Sequence, residues 1–473
     1  MCRRRSRSTP SRAAIVSTYI LRRLLLMIPT LFGITLVVFT VMAASPGGIS
    51  AQSLIEGQGL EPEARKALED YYNRLYGLDD PAPVQYLRWL NNVSPVGFEF
   101  DTSGEVSGFG FKGSDLGTSF RYGRPVTDLL AERIPITLLL NALTVPLIYV
   151  IAIAIGVHAA TQRGKSFDVG SSVTMLTLWS IPTMLAGVLL IGFFASDQHW
   201  HWFPTAGLNR REALDMPFLP HWSALGDIGL LFLLAVIGTG GFVLAALRLA
   251  TLYRAALMAG VGGVLGVLMA ATHAESPVVL YVLIPAVLAA CGAAVAILDY
   301  VGMRVVFMGS VGLLVGAGLG VHWSSGDFVP GFLLDRLWHL VLPVICLSYG
   351  SFAFLAKLTR TAVLENLLAD YARTARAKGV AEKHVLWRHV FRNSLLPLIT
   401  VFASLLPGLL AGSVIVEQIF SIDGMGKLAV EAVKNRDREL VLSITLISGL
   451  LTLLGYLIAD LLYAAADPRV SYD

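Results

Sequence analysis

Charge is what this sequence has little of. Only 15% of its 473 residues are Asp, Glu, Lys or Arg, against 55% hydrophobic. A chain so poor in charge cannot cover a single soluble domain with a solvated surface. Its apolar residues come in runs of about 20, the length that crosses a bilayer as a helix. Cysteine is nearly absent. Cys2, Cys291 and Cys346 give no disulfide framework, and the last two fall in apolar runs, where they read as packing or lipid-facing residues. Metal-ligating clusters are missing. His199 and His201 form a His-x-His pair with no Cys, Asp or Glu at fixed offsets, and Trp200, Trp202 and Trp222 beside them and His221 read as an interfacial aromatic belt. A phosphate loop is missing as well. Gly164-Lys165-Ser166 imitates the end of one, but the required earlier glycine is Ala159, and an apolar span precedes it in place of a strand. The chain is therefore expected to bind no cofactor and to hydrolyse no ATP itself. Carboxylates inside the apolar runs are scarce. Asp460 and Glu417 are the main cases, both near span ends where they can reach the interface, and this paucity argues against a proton-coupled secondary transporter.

What is present is a series of ten candidate spans, at about 20–44, 135–160, 171–195, 228–248, 255–272, 277–298, 303–321, 337–357, 395–417 and 441–463. The opening MCRRRSRSTPSR is basic, and the apolar run after it exceeds a signal-peptide core, so an uncleaved first span is expected. With the N-terminus inside, more than half of the 36 Lys and Arg fall in inside segments and most acidic residues fall outside, which satisfies the positive-inside rule. Both termini, 1–19 and 464–473, are then cytoplasmic. Residues 45–134 form the largest external segment: an amphipathic helix, a Pro-punctuated turn, a second short helix and a Gly/Ser/Asp-rich loop over 101–118, read together as a small periplasmic cap. Spans two and three fill 135–195. Four further apolar runs lie in 196–335, and the remaining spans in 336–463. Gly262 and Gly266, and then Gly312, Gly316 and Gly320, recur every four residues, the spacing that lets helix backbones approach closely in lipid. Thr137, Asn141, Ser404 and Ser413 are polar groups available to line a path.

Between the eighth and ninth spans lies a polar, basic segment, 358–394. Good helix formers run from Leu364 to Lys378, Gly379 supplies a stop, and a second helix is expected from Glu382 to Phe391, before Pro397. Arg373, Arg376 and Lys378 make the first helix basic; Lys383, Arg388, His389 and Arg392 do so for the second. The outer connection from Phe420 to Leu440 has a turn at Asp423-Gly424-Met425-Gly426 followed by an amphipathic helix, Lys427 to Asn435.

Asp370 to Gly379, DYARTARAKG, resembles the "EAA" loop of ABC-importer permeases, in the form used by the dipeptide/oligopeptide branch. GLDDPAPVQYLRWL, SDLGTSFRYGRPV, ERIPITLLL, the opening LRRLLLMIPTLFGITLVVF and the closing LLYAAADPRV resemble that branch as well. The resemblance covers roughly 15–195 and 335–473. It implies an all-α polytopic membrane protein, a type I importer permease core of about six spans, with 196–335 as an insert of about four extra spans between core spans three and four. The ending DPRVSYD leans toward the branch that imports microcin-C-like or longer peptides. By this resemblance Tyr371, Arg373, Thr374, Ala375, Arg376, Lys378, Gly379 and Glu382 form the loop that couples to the ATPase, and Asp423, Gly424, Met425 and Gly426 face the substrate-binding protein. The general pattern of the superfamily has Glu where this chain has Arg373, so a salt bridge from that Glu to the ATPase is not implied. The implied partners are a second homologous permease, two ATPase subunits carrying ATP and Mg, a periplasmic binding protein, a peptide substrate and membrane lipid, with no nucleic acid. The rival reading is a secondary transporter, or a membrane scaffold that recruits a cytosolic partner through the same loop.

Overall fold

The computed structural model describes residues 12–45, 62–76, 80–100, 106–222, 225–271, 278–297, 301–323 and 328–466. Cys2, the basic tail up to residue 11 and the closing DPRVSYD lie outside the described residues. The helices are α1 (Arg12–Ala44), α2 (Pro62–Tyr76), α3 (Ala82–Val93), α4 (Val126–Thr161), α5 (Ser166–Ser180), α6 (Thr183–Phe194), α7 (Leu225–Arg248), α8 (Thr251–Ala271), α9 (Val278–Ile297), α10 (Val301–Trp323), α11 (Gly331–Leu368), α12 (Asp370–Ala377), α13 (Phe391–Ile419), α14 (Met425–Lys434) and α15 (Arg438–Ala466). Two small antiparallel ribbons accompany them: β1 (Val96–Phe100) with β2 (Val106–Phe111), and β3 (His221–Trp222) with β4 (Phe328–Val329). The protein is a polytopic membrane protein built almost wholly of helices.

Among the described residues seven helices are long and apolar enough to cross a membrane, or up to eight with one bent pair counted as a span. Ten uninterrupted spans were expected, and the third is the clearest departure. Residues 171–195 are not one helix: α5 and α6 meet at a 95° bend. Ile181 is extended there (φ −79°, ψ 123°) and Pro182 caps α6. A residue before proline is driven out of the α region, and proline has no N–H for the ladder, so the apolar run breaks at this point. The sixth expected span is represented by α9, Val278–Ile297, of 20 residues.

Two further expectations need correction. The 101–118 segment is not all loop, because β2 pairs with β1 in the register Phe98↔Phe109 and Gly97↔Gly110. Apolar and glycine residues alternate over Gly108–Phe111, which gives the strand period of two. The Leu364–Lys378 helix is really two. α11 ends at Leu368, Ala369 is extended (ψ 151°), and α12 starts at Asp370, whose carboxylate favours a helix N-terminus.

The chain divides into two compact units. The first comprises residues 1–146, 361–418 and 423–473. In it Tyr86 and Trp89 of α3 bury against Phe39 and Leu442, and the Tyr86 hydroxyl reaches the Thr35 hydroxyl of α1 at 2.9 Å. A second cluster joins Leu116, Val126, Leu129 and Leu130 to Met425, Leu428, Leu440 and Ile444. Beside it the buried Asp437 carboxylate accepts from the Ser119 hydroxyl (2.5 Å) and the Arg121 N–H (3.2 Å). Burial pushes its pKa up against those bonds.

The second unit comprises residues 147–360 and 419–422. Its helices α7 to α10 pack as two nested pairs, α7 on α10 and α8 on α9. Glycine sets both contacts. A Cβ on Gly312 would overlap the Gly238 carbonyl, on Gly316 the Leu234 carbonyl, and on Gly320 the Leu231 backbone. Gly262 and Gly266 sit in the same way against Leu288 and Pro285. Phe232, Leu252 and Leu314 on these helices are more than two-thirds exposed, as lipid-facing residues are.

Candidate functional site: the polar loop and the outer turn

The polar loop is built around one turn. α12 closes at Lys378, and Gly379 adopts φ +77°, a left-handed conformation that costs glycine nothing. The Gly379 N–H bonds the Arg376 carbonyl (2.9 Å) and the Val380 N–H bonds the Ala375 carbonyl (3.2 Å), the paired pattern of a Schellman stop. Arg376 then clamps the turn from the side. Its fork reaches Glu382 (Nη2–Oε1 2.8 Å, Nε–Oε2 3.0 Å), and its Nη1 bonds the Leu367 carbonyl (3.1 Å). That hydrogen-bonded fork holds the Glu382 carboxyl below the usual glutamate range. After the turn, one helical turn at Glu382–His384 passes into a π-helical turn, Val385–Val390, and on into α13. The expected second helix thus does not stop before Pro397; Pro397 lies within α13.

Exposure sorts the loop residues. Ala372 and Ala375 are buried, and so are Val385 and Val390. Tyr371, Arg373, Thr374, Arg376, Lys378, Gly379 and Glu382 are exposed. Ala375 therefore packs inward. Arg376 and Glu382 are committed to each other, and Arg373 lies within 3.4 Å of Asp370; the exposed face of α12 and its cap includes Tyr371, Arg373, Thr374 and Lys378. Behind it the buried Ser394 hydroxyl donates to the Ala362 carbonyl (3.1 Å) and accepts from Asn366 (3.1 Å). This fastens the start of α13 to the end of α11.

The outer turn has a feature the sequence did not reveal. Glu417 does not reach an interface; it is fully buried. Its carboxylate accepts from the Thr137 hydroxyl (2.8 Å) and the Lys427 N–H (3.0 Å), while Thr137 Oγ1 accepts from the Met425 N–H (2.9 Å). The turn is thereby tied to α4 and α13. Gly424 and Gly426 are required by this closeness. A Cβ on Gly424 would overlap the Glu417 carboxyl, and one on Gly426 would overlap the Val414 backbone. Gly424, Met425 and Gly426 are buried, so of the four expected binding-protein-facing residues only Asp423 is exposed. Burial works to raise the Asp423 carboxyl, but Lys427 (2.9 Å) and Arg133 (3.2 Å) outweigh it and leave the carboxyl below its usual range.

Elsewhere, Asp460 pairs with Arg23 at 2.8 Å. Trp200 stacks on Trp202, and Phe203 on Trp338. The false phosphate loop is a tight turn: Gly164 has φ +75° and its N–H bonds the Asp168 carboxylate (2.9 Å). Among the described residues no group of three or more His, Cys, Asp or Glu could hold a metal. Sequence reasoning missed Glu417 with its Thr137 partner, the α5–α6 break, and the pairing of the buried Asp168 with the partly exposed Arg360. Pro182 inside an apolar run was the available signal for the break. For the carboxylates there was none, since each lies close to a span end and reads as interfacial.

Comparison with known proteins agrees with this architecture. Residues 16–141 match the N-terminal component of the binding-protein-dependent transport system membrane proteins, and residues 262–472 match the binding-protein-dependent transport system inner membrane component. The chain is 30% identical to the oligopeptide transport system permease protein AppB of Bacillus subtilis, over 97% of this chain and 100% of that protein. It is 26% identical to the peptidoglycan transport system permease protein YejB of Agrobacterium fabrum (97% and 99%) and 27% identical to the dipeptide transport system permease protein DppB of Escherichia coli (96% and 98%). With near-complete coverage of both partners in each case, the chain belongs to the family of binding-protein-dependent transport system inner membrane permeases.

Proposed function

We propose that this chain is the permease subunit of an ATP-driven peptide importer and that it couples to its ATPase through the loop around Gly379. The observation that carries the reading is the Schellman turn: it is braced by Arg376–Glu382 and leaves Tyr371, Arg373, Thr374 and Lys378 exposed. The relatives, oligopeptide and dipeptide permeases among them, support the substrate class. In this reading the chain forms the translocation path with a second permease and receives peptide from a periplasmic binding protein at the outer turn carrying Asp423. Both termini and the loop lie in the cytoplasm. ATP and Mg are held by the ATPase subunits, and the ATP-bound ATPases favour one conformation of the permease. ATP shifts the equilibrium only by its differential affinity for the two states, so the loop has to transmit that difference. In this reading residues 196–335 add about four spans to a six-span core.

The test is co-purification of ATPase subunits with tagged wild-type chain and with Arg373→Glu and Lys378→Glu, alongside peptide uptake. Loss of co-purification with normal membrane levels is expected. Undiminished binding and uptake in the double variant would remove the loop from the interface.

A further inference from the structure

One helix of the first unit lies deeper than the sequence places it. Residues 45–134 were expected as a periplasmic cap, yet the Tyr86 hydroxyl of α3 meets the Thr35 hydroxyl of α1 at 2.9 Å and the Phe32 carbonyl at 3.2 Å. The Tyr86 ring also packs edge-on against Phe32 and tilted against Phe39. The apolar span of α1 is Tyr19–Ala44. A bilayer core takes about 20 helical residues, and Phe32 and Thr35 fall inside every window of that length within the span. α15 runs antiparallel to α1 and fixes the scale: Arg23 pairs with Asp460, Leu31 lies against Gly449, and Phe39 clusters with Leu442. Counted from Arg23 at about 1.5 Å per residue, Thr35 lies about 18 Å and Phe39 about 24 Å into a core of about 30 Å. α3 thus crosses α1 in the far half of the bilayer. Val37 and Val41 of α1, at that level, are more than half exposed, as lipid-facing residues are.

The exposed side of α3 is apolar as well. Val84 and Leu87 lie there, and they share a groove of about 880 Å³ with Phe98 and Phe109 of the β1–β2 ribbon. The register sorts the ribbon into two faces: Val96 with Phe111 and Phe98 with Phe109 on one, Gly97 with Gly110 and Glu99 with Gly108 on the other. The glycine face is met by Asn91 of α3. A Cβ on Gly97 would overlap its amide, which also bonds the Phe98 N–H (2.8 Å) and the Phe98 carbonyl (3.0 Å). That point of the β1 edge is therefore closed to a partner strand. The apolar face is uncovered: Phe98, Phe109 and Phe111 are half or more exposed, and the Phe98 and Phe109 rings meet edge to face at 5.2 Å. Arg88, which also lines the groove, is paired with Asp80 at 2.6 Å. A contiguous apolar patch of this kind marks a contact with lipid or protein, and its depth decides between them.

We propose that α3 and the β1–β2 ribbon form a lipid-binding wedge: they lie in the leaflet remote from the Arg23–Asp460 pair, and phospholipid acyl chains fill the groove between Val84, Leu87, Phe98 and Phe109. An amphipathic interfacial helix settles about 5–10 Å into a leaflet, and Phe39, against which Tyr86 packs, lies about 6 Å beneath the far boundary on the scale above. The groove offers shape and apolar surface, with its charged group already paired, which suits a chain of methylenes. The wedge belongs to the chain whatever it transports; only the name of the leaflet, the outer one, rests on the orientation proposed above.

The experiment uses the full chain, with the subunits that accompany it, in lipid nanodiscs. Phospholipids carrying a photoactivated diazirine at mid-chain are included, the unmodified protein is irradiated, and labelled residues are located by mass spectrometry. Label is expected at Leu87, Phe98 or Phe109 as densely as at Val37, the lipid-facing reference on α1. Absence of label from residues 84–111 while Val37 is labelled overturns the proposal. A second measurement reads depth. With the native cysteines replaced by alanine, a nitroxide is placed in turn at Leu87→Cys, Phe109→Cys, Val37→Cys and Asp370→Cys, the last on the exposed polar loop. Its relaxation by oxygen is compared with that by a water-soluble nickel chelate. The oxygen-to-nickel ratio at Leu87 and Phe109 should shift away from the Asp370 value to the Val37 value. A ratio at either position equal to that of Asp370 overturns the wedge. Protection from both reagents overturns it too, because a protein then covers the groove.

Discussion

Gly424 and Glu417 make a direct test of the outer turn, because the structure assigns the glycine a steric role and no conformational one. Gly424 has φ −95° and ψ −174°, extended backbone that alanine adopts freely. The cost of Gly424→Ala is therefore the overlap of a new methyl with the Glu417 carboxyl, about 1–3 kcal/mol for overpacking a tight site. Glu417→Ala removes that carboxyl and strands the donors that meet it, among them the Thr137 and Ser413 hydroxyls and the Lys427 N–H, at about 1–3 kcal/mol for each buried one. In the double variant the methyl enters vacated space, so its own cost should fall to about zero, and the cycle should show a coupling of about 1–3 kcal/mol in the relieving direction. The assay is the unfolding midpoint in mixed micelles of fixed composition for the four proteins. A Gly424→Ala cost that is the same in both backgrounds, within about 0.5 kcal/mol, would refute the contact. Gly426→Ala serves as contrast, since its obstacle is the Val414 backbone and Glu417→Ala should not relieve it.

Gly379 poses the converse case: nothing lies within 4 Å of a Cβ there, but φ is +77°. Gly379→Ala should cost about 1–2 kcal/mol of left-handed strain and weaken ATPase binding mildly, whereas Gly379→Pro, unable to take that φ, should abolish it in a pull-down. Glu382→Gln should loosen the loop, read by protease sensitivity at neutral pH. Because Arg376 lowers the Glu382 pKa, the wild-type advantage is full above the ordinary glutamate value of about 4.3 and disappears as pH falls through the lowered value. Gly316→Val should push α10 off the Leu234 carbonyl of α7, while Gly318→Ala, with open space around it, should leave cysteine cross-linking between the two helices unchanged.

Helices with long apolar runs and clean ends were legible in the sequence, as were the glycine spacing of α10 and the stop at Gly379. Each of these rests on local chemistry: a run length, a period, a residue that accepts positive φ. The break at Pro182 was overlooked because hydropathy averages across it. The inward placement of Ala375, the burial of Met425 and the anchoring of Glu417 depend on partners far along the chain, Thr137 above all, which no local pattern predicts. The basic character of α12 was readable, but the commitment of Arg376 to Glu382 was not. Charge counts ions without showing which are already paired.

The nested pairing of α7 with α10 and α8 with α9 constrains the order of assembly. The inner pair is joined by a short connection and can close as a hairpin as soon as α9 enters the membrane, with little loop entropy to lose. Only then is α10 delivered beside α7, which until that moment meets the inner pair only around Ala246 and lacks the helix that covers Gly238 and the Leu234 carbonyl. A defect at Gly262 or Gly266 would therefore leave α7 waiting for its mate, and the damage would surface in a helix pair that the substituted residue never touches.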